Sequence, residues 1–214
     1  MIDLGPNRRP HGMAVLPKTC QIVTTIENPN GLLLVDPAAR KVLRKYDVKG
    51  ENPNMVLLGP GAEHAYVSNA NSGTVAVLNL ASGKVEKLIS TGKNPQGGVM
   101  TRDAKTIYLA NAASNLISII ATGVNEVIGE IKTGENPARL ALTPDEKTLV
   151  YNLQAGEGIG FANVQTRKQL AEIRLPVKPL SLSLSSDGRT VPGRKIIKII
   201  ETPAGAGPDT ITPL

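Results

Sequence analysis

Apolar residues in this chain recur at every second position over short stretches, then give way to polar turns. Met13 and Val15, Val56 and Leu58, Gly98 and Met100, Leu140 and Leu142, and Leu182 and Leu184 are such pairs. Period two is the strand signature, because successive side chains of a strand point to opposite faces. No helical period competes over a useful length. Each pair follows a proline. Pro10, Pro53, Pro95, Pro137 and Pro179 are separated by 43, 42, 42 and 42 residues. Asn52, Asn94 and Asn136 precede three of them, with Gly50, Gly92 and Gly134 two residues earlier. Asn-Pro in this setting starts a turn.

The rest of each repeat also reads as strands. A polar turn such as Thr143-Pro144-Asp145-Glu146-Lys147 follows the first strand. The second strand is Tyr66-Val67-Ser68-Asn69 or Tyr108-Leu109-Ala110-Asn111, with a shifted echo at Val150-Tyr151-Asn152. The third is Val75-Ala76-Val77-Leu78, Ile117-Ser118-Ile119-Ile120 or Ile159-Gly160-Phe161, and the fourth runs from Val85 to Ile89 or from Val127 to Ile131. Four short strands in about 42 residues is the length of a propeller blade. The predicted fold is therefore all-β, a β-propeller of four-stranded antiparallel blades. One blade cannot cover both faces of its own sheet, and stacking blades does so.

The Asn-Pro starts, the Tyr-Val-Ser-Asn and Tyr-Leu-Ala-Asn strands and the Val-x-Val third strand resemble the YVTN β-propeller repeat. That resemblance covers nearly the whole chain and lacks the Trp-Asp hallmark of another propeller class. It implies a surface-layer, periplasmic or secreted setting, and usually a ring of seven blades. Similar propellers occur in methylamine-type dehydrogenases, haem-binding nitrite reductases and lactonase-like proteins. The resemblance is specific for fold and weak for function.

The chain departs from a full ring. It reads as a single domain over residues 1–214, with repeats at about 6–48, 49–91, 92–133 and 134–175 and a damaged fifth at 176–207. In the fifth, the next proline of the same kind is Pro208, only 29 residues after Pro179, and Val191-Pro192-Gly193 marks the lost strand. Ile2-Asp3-Leu4-Gly5 resembles Ile131-Lys132-Thr133-Gly134, the tail of a blade. The expectation is an incomplete, open array, whose bare blade edges favour self-association. The alternative is a smaller ring whose fifth blade is completed by residues 1–5.

Composition sharpens this picture only in places. Charged residues make up 20% and hydrophobic ones 41%, as in a soluble globular chain. The net charge of +6 invites a nucleic-acid reading. The basic residues are scattered, however, and no aromatic residues are interleaved to stack bases, so they read as solvated turn and edge charges. Steep salt dependence of binding would support nucleic acid. No apolar run is long enough to span a membrane, and the N-terminal residues show no secretory signal. Localisation outside the cytoplasm rests on the resemblance alone.

Candidate chemistry is sparse. One cysteine and two histidines cannot make the usual zinc sets, and no haem-attachment or nucleophile-elbow motif occurs. No metal or cofactor is expected. Propeller ligands sit at the tunnel mouth, where each first strand starts, which singles out His11, Asn54, Gln96 and Arg139. His64 reads as a solvated turn residue, and Asp36, sharing its repeat position with Asn79 and Asn163, as structural. The function expected is a non-catalytic scaffold or binding module facing a protein or cell-surface partner. The alternative is a propeller piece of a redox enzyme (quinoprotein- or haem-associated) or a lactonase-like enzyme.

Overall fold

The computed structural model describes residues 2–184. Among them, sixteen strands form four separate antiparallel sheets of four, each in chain order. Blade one holds β1 (Arg8–Val15), β2 (Ile22–Asn28), β3 (Asn30–Asp36) and β4 (Lys41–Tyr46). Blade two holds β5 (Pro53–Leu58), β6 (His64–Asn69), β7 (Thr74–Asn79) and β8 (Val85–Ser90). Blade three holds β9 (Pro95–Met100), β10 (Thr106–Asn111), β11 (Leu116–Ala121) and β12 (Glu126–Lys132). Blade four holds β13 (Pro137–Leu142), β14 (Thr148–Leu153), β15 (Gly158–Asn163) and β16 (Lys168–Arg174).

Burial explains the pattern of each strand. The second and third strands are buried almost end to end, because neighbouring blades cover both of their faces. They accordingly read as continuous runs of Val, Ile, Leu and Tyr. The fourth strand alternates, because it faces solvent at the rim. Three apolar layers join the blades. Val23, Leu32 and Tyr46 meet Val56, Val67 and Leu78 between blades one and two. Tyr66, Val77 and Ile89 meet Ile107, Leu109 and Ile120 between two and three. Tyr108, Ile117 and Ile131 meet Leu149, Tyr151 and Leu153 between three and four. Each fully buried Leu or Ile contributes roughly 1.5–3 kcal/mol, so these layers dominate stability.

The turn that starts each blade has one conformation. Arg9, Asn52, Asn94 and Asn136, each just before its proline, have φ of 55°, 53°, 55° and 59°. Asparagine tolerates this left-handed region better than most residues, which accounts for the Asn-Pro repeat. The same residue latches the blade. The carbonyls of Asn52, Asn94 and Asn136 accept from Ala70 N, Ala112 N and Gln154 N at 2.9, 3.0 and 2.9 Å.

Among the described residues the array is an open arc. Inner strands β1, β5, β9 and β13 pack in succession, and no comparable packing joins β13 to β1. Among the described residues, only Ile2 and Leu4 pack on the near face of blade one. Met13 and Val15 lie there 65% and 56% exposed, whereas Val56, at the Met13 position of blade two, is 4% exposed. The first-strand periodicity thus marks strands correctly but does not imply burial in blade one. The fifth repeat expected from the sequence falls largely outside the described residues, and residues 176–184 carry no strand.

Two local readings change. The second strand of blade four is not displaced: β14 occupies the place of β6 and β10, and only its tyrosine moves by one residue. Tyr151 consequently faces blade three, while Tyr66 and Tyr108 face the blade after their own. His64 is the first residue of β6 rather than a turn residue, and its Nε2 lies 2.9 Å from Glu86 Oε2.

Candidate functional site

The four candidate residues lie on successive inner strands near the strand starts. His11, Asn54 and Gln96 each follow the anchor proline directly on β1, β5 and β9, and Arg139 lies two residues after Pro137 on β13. His11 is half-buried, and its Nδ1 has no hydrogen-bond partner among the described residues. Asn54 is 7% exposed, and its Oδ1 is likewise unpartnered there. Gln96 donates Nε2 to Asn94 Oδ1 at 2.8 Å. Arg139 is 8% exposed, with its backbone N–H on Asn152 Oδ1 at 2.7 Å and Nη1 3.4 Å from Ala138 O.

The inner strands carry a register shift close to the anchor proline in all four blades. A bulge of this kind leaves a backbone N–H without a ladder partner. In blades one, two and four a side chain of the second strand supplies one. Gly12 N donates to Thr25 Oγ1 at 2.8 Å, Met55 N to Ser68 Oγ at 3.0 Å, and Arg139 N to Asn152 Oδ1 at 2.7 Å. Thr25, Ser68 and Asn152 occupy one repeat position; blade three has Ala110 there. Two of these side chains also reach across to the next segment of chain. Thr25 Oγ1 donates to Asn54 O at 2.7 Å, and Asn152 Nδ2 to Pro179 O at 3.0 Å. A buried hydrogen bond is worth about 1 kcal/mol net, and leaving the amide unpaired costs more.

Close approach shapes this row. A Cβ on Gly12 would collide with Asn54 O and Met55 Cα, and one on Gly97 with Ala138 O. Inner strands therefore alternate Gly12, Met55, Gly97 and Arg139, small beside large. Sequence reading missed the Thr25, Ser68 and Asn152 tethers. Their signal was present: a polar residue at one repeat position inside an otherwise apolar strand.

Polar turns at the other end of the strands are also structural. Asp36 Oδ1 accepts from Ala38 N and Ala39 N at 2.9 Å, and Asn79 Oδ1 accepts from Ala81 N and Ser82 N, as the shared position predicts. Asp103 and Asp145 accept from Thr101 Oγ1 and Thr143 Oγ1 at 2.7 and 2.6 Å. Those hydroxyls, then the backbone N–H of Lys105 and Lys147, hold both carboxyls below their ordinary value. Tyr66 and Tyr108 are pushed up by burial. Tyr151 is pushed up far more, by burial and by the Glu172 carboxylate, and its hydroxyl has no partner among the described residues. No three His, Cys, Asp or Glu side chains there group as a metal site requires. No described helix is long and apolar enough to cross a membrane.

Four-stranded antiparallel sheets stacked in order on their inner strands define a β-propeller. Residues 57–151, from the end of β5 into β14, match the family model of the YNCE-like beta-propeller. Hydrazine synthase of Kuenenia stuttgartiensis is similar in structure, with a TM-score of 0.73 and 25% identity over 82% of this chain. This chain spans about half of that one, 51% of its length. Together these matches support a propeller of the YVTN/YNCE type. No curated protein matches the chain. Solved structures that match number 1327 chains, so the likeness identifies an architecture shared far too widely to specify a reaction.

Proposed function

We propose that the chain is a non-catalytic propeller module, one domain over residues 1–214, that presents its rim to a protein or cell-surface partner outside the cytoplasm. The observation that carries this reading is the use to which the axial polar groups are put. Thr25, Ser68 and Asn152 are spent on tying inner strands to their own blades, and Thr25 and Asn152 also reach the next segment. The row His11, Asn54, Gln96 and Arg139 provides the proposed contact residues at the mouth of the arc. The repeat family supports the extracytoplasmic setting.

A second reading has one observation in its favour: the structural likeness to hydrazine synthase, an enzyme chain of which this one spans about half. In that reading the chain is the propeller part of a redox enzyme. Titration of the purified chain with haem, followed by Soret absorbance, together with elemental analysis for bound metal, separates the two. The module reading predicts no saturable binding and no stoichiometric metal. Saturation at one haem or metal per chain, abolished by His11→Ala, would move the chain to the enzyme reading.

A further inference from the structure

The joints between blades share one device at the outer rim. At the first, Arg44 of β4 donates Nη1 to Ala81 O and Nη2 to Ser82 O, both at 2.9 Å. A Cβ on Gly83 would collide with that guanidinium. At the second, Lys87 of β8 stands at the Arg44 position and donates to Val124 O at 3.1 Å and Glu126 Oε1 at 3.0 Å. The turn residue facing it is Asn125. At the third the roles reverse. β12 carries Gly129, and the turn of blade four supplies Arg167, whose Nη1 reaches Ile128 O at 3.3 Å. A Cβ on Gly129 would collide with Arg167. Each joint therefore takes one cation, from either side, and opposite each arginine stands a glycine. The turn position keeps one backbone conformation in all blades: Arg40, Gly83, Asn125 and Arg167 have φ of 54°, 77°, 55° and 58°.

Blade one presents the arginine form of this device to solvent. Arg40 is exposed and makes no hydrogen bond or ion pair among the described residues. It borders the near face on which Met13 and Val15 are exposed above Ile26, Leu33 and Val35. Ile2 and Leu4 already pack on that face. Ile2 stands three residues before Gly5, as Ile89 and Ile131 stand three before Gly92 and Gly134. Ile89 and Ile131 are core residues of the second and third joints. Residues 2–4 thus hold the place where a preceding blade's fourth strand ends.

We infer that the near face of blade one is a docking surface for one further four-stranded blade, and that Arg40 selects a blade with glycine or alanine opposite it. The selected position lies two residues before the isoleucine of the fourth strand, where blade three has Gly129 and blade two has Lys87. A small residue leaves room for the guanidinium and frees a backbone carbonyl to accept from it. A lysine there meets Arg40 with both bulk and like charge.

The test grafts a blade onto the full chain. Residues 92–133 replace residues 1–4 directly before Gly5, and a second graft uses residues 50–91. Both keep the isoleucine in register. Peroxide oxidation of Met13, followed by mass spectrometry, reads whether the face is covered. The blade-three graft slows Met13 oxidation about tenfold relative to the ungrafted chain, while the blade-two graft leaves it near the original rate. Changing Lys87→Gly within the blade-two graft, or Arg40→Gly in the recipient, restores protection. Equal protection by the two unmodified grafts would overturn the role of Arg40. Failure of the blade-three graft and of the Lys87→Gly graft to protect Met13 would overturn the docking surface itself.

Discussion

Blades one and two are built from the same repeat, yet their inner strands meet opposite environments. Met13 and Val56 hold one position, as do Val15 and Leu58. In blade two the position is sealed against Val23, Leu32 and Tyr46; in blade one it faces solvent. Even the anchor prolines differ: Pro53, Pro95 and Pro137 are buried and Pro10 is exposed. A repeat unit specifies its own sheet, but burial is a property of the pair of blades. Stability in such an array is the sum of unit and interface terms, and blade one lacks one interface term among the described residues.

The largest effect that separates the two blades comes from placing a charge at the shared position. Val56→Asp buries a carboxylate in an apolar layer and costs more than about 3 kcal/mol in chemical denaturation. Met13→Asp changes stability by less than about 0.5 kcal/mol, as at an ordinary surface site. Comparable losses from both would mean that the near face of blade one is covered.

The rim cations give the next contrast. Arg44→Ala removes two hydrogen bonds across the first joint and costs about 1–2 kcal/mol, while Arg40→Ala costs less than about 0.5 kcal/mol. Two tyrosines extend the comparison to the other joints. Tyr66 donates its hydroxyl to Asn125 Oδ1 at 2.8 Å, so Tyr66→Phe costs about 1 kcal/mol. Tyr151→Phe removes a buried hydroxyl that has no partner among the described residues and is neutral or stabilising by denaturant midpoint.

Tyr151 also sets an alkaline limit. Its phenol is held neutral in the fold, whereas in the unfolded chain it ionises near 10. Its contribution is therefore complete below that pH and is lost as pH rises above it. Phenolate absorbance should show Tyr151 ionising only with unfolding. The smallest effect belongs to the Asp103 and Asp145 turns, whose carboxyls are depressed in the fold. Their contribution is present above the ordinary carboxylate pKa of about 3.9 and is lost as pH falls through the folded value. Carboxyl chemical shifts titrating at the ordinary value in the folded chain would contradict this.

Much of the fold was legible in the sequence, because the proline spacing and the strand pattern report on single blades. Pro53, Pro95 and Pro137, with their asparagines, mark a turn whose positive φ is a local matter. The part that lay beyond reach depends on neighbours. Period two cannot tell that Met13 lacks a blade to pack on. A one-residue shift of a tyrosine looks like a shifted strand, although in a strand it only exchanges faces, as Tyr151 does. The candidate residues His11, Asn54, Gln96 and Arg139 were legible as positions one or two residues after the anchor prolines. The tethers that surround them, Thr25, Ser68 and Asn152, were legible only as a recurring polar position, since a hydroxyl or amide in a strand gives no sign of which backbone amide it satisfies.

Hydroxyl-radical footprinting of the purified chain tests the central claim most directly. The account predicts strong labelling of Met13 and Val15 on blade one and weak labelling of Val56 and Leu58 at the same positions of blade two. Equal protection of all four would contradict the open arc and place a blade, or its equivalent, on the near face of blade one.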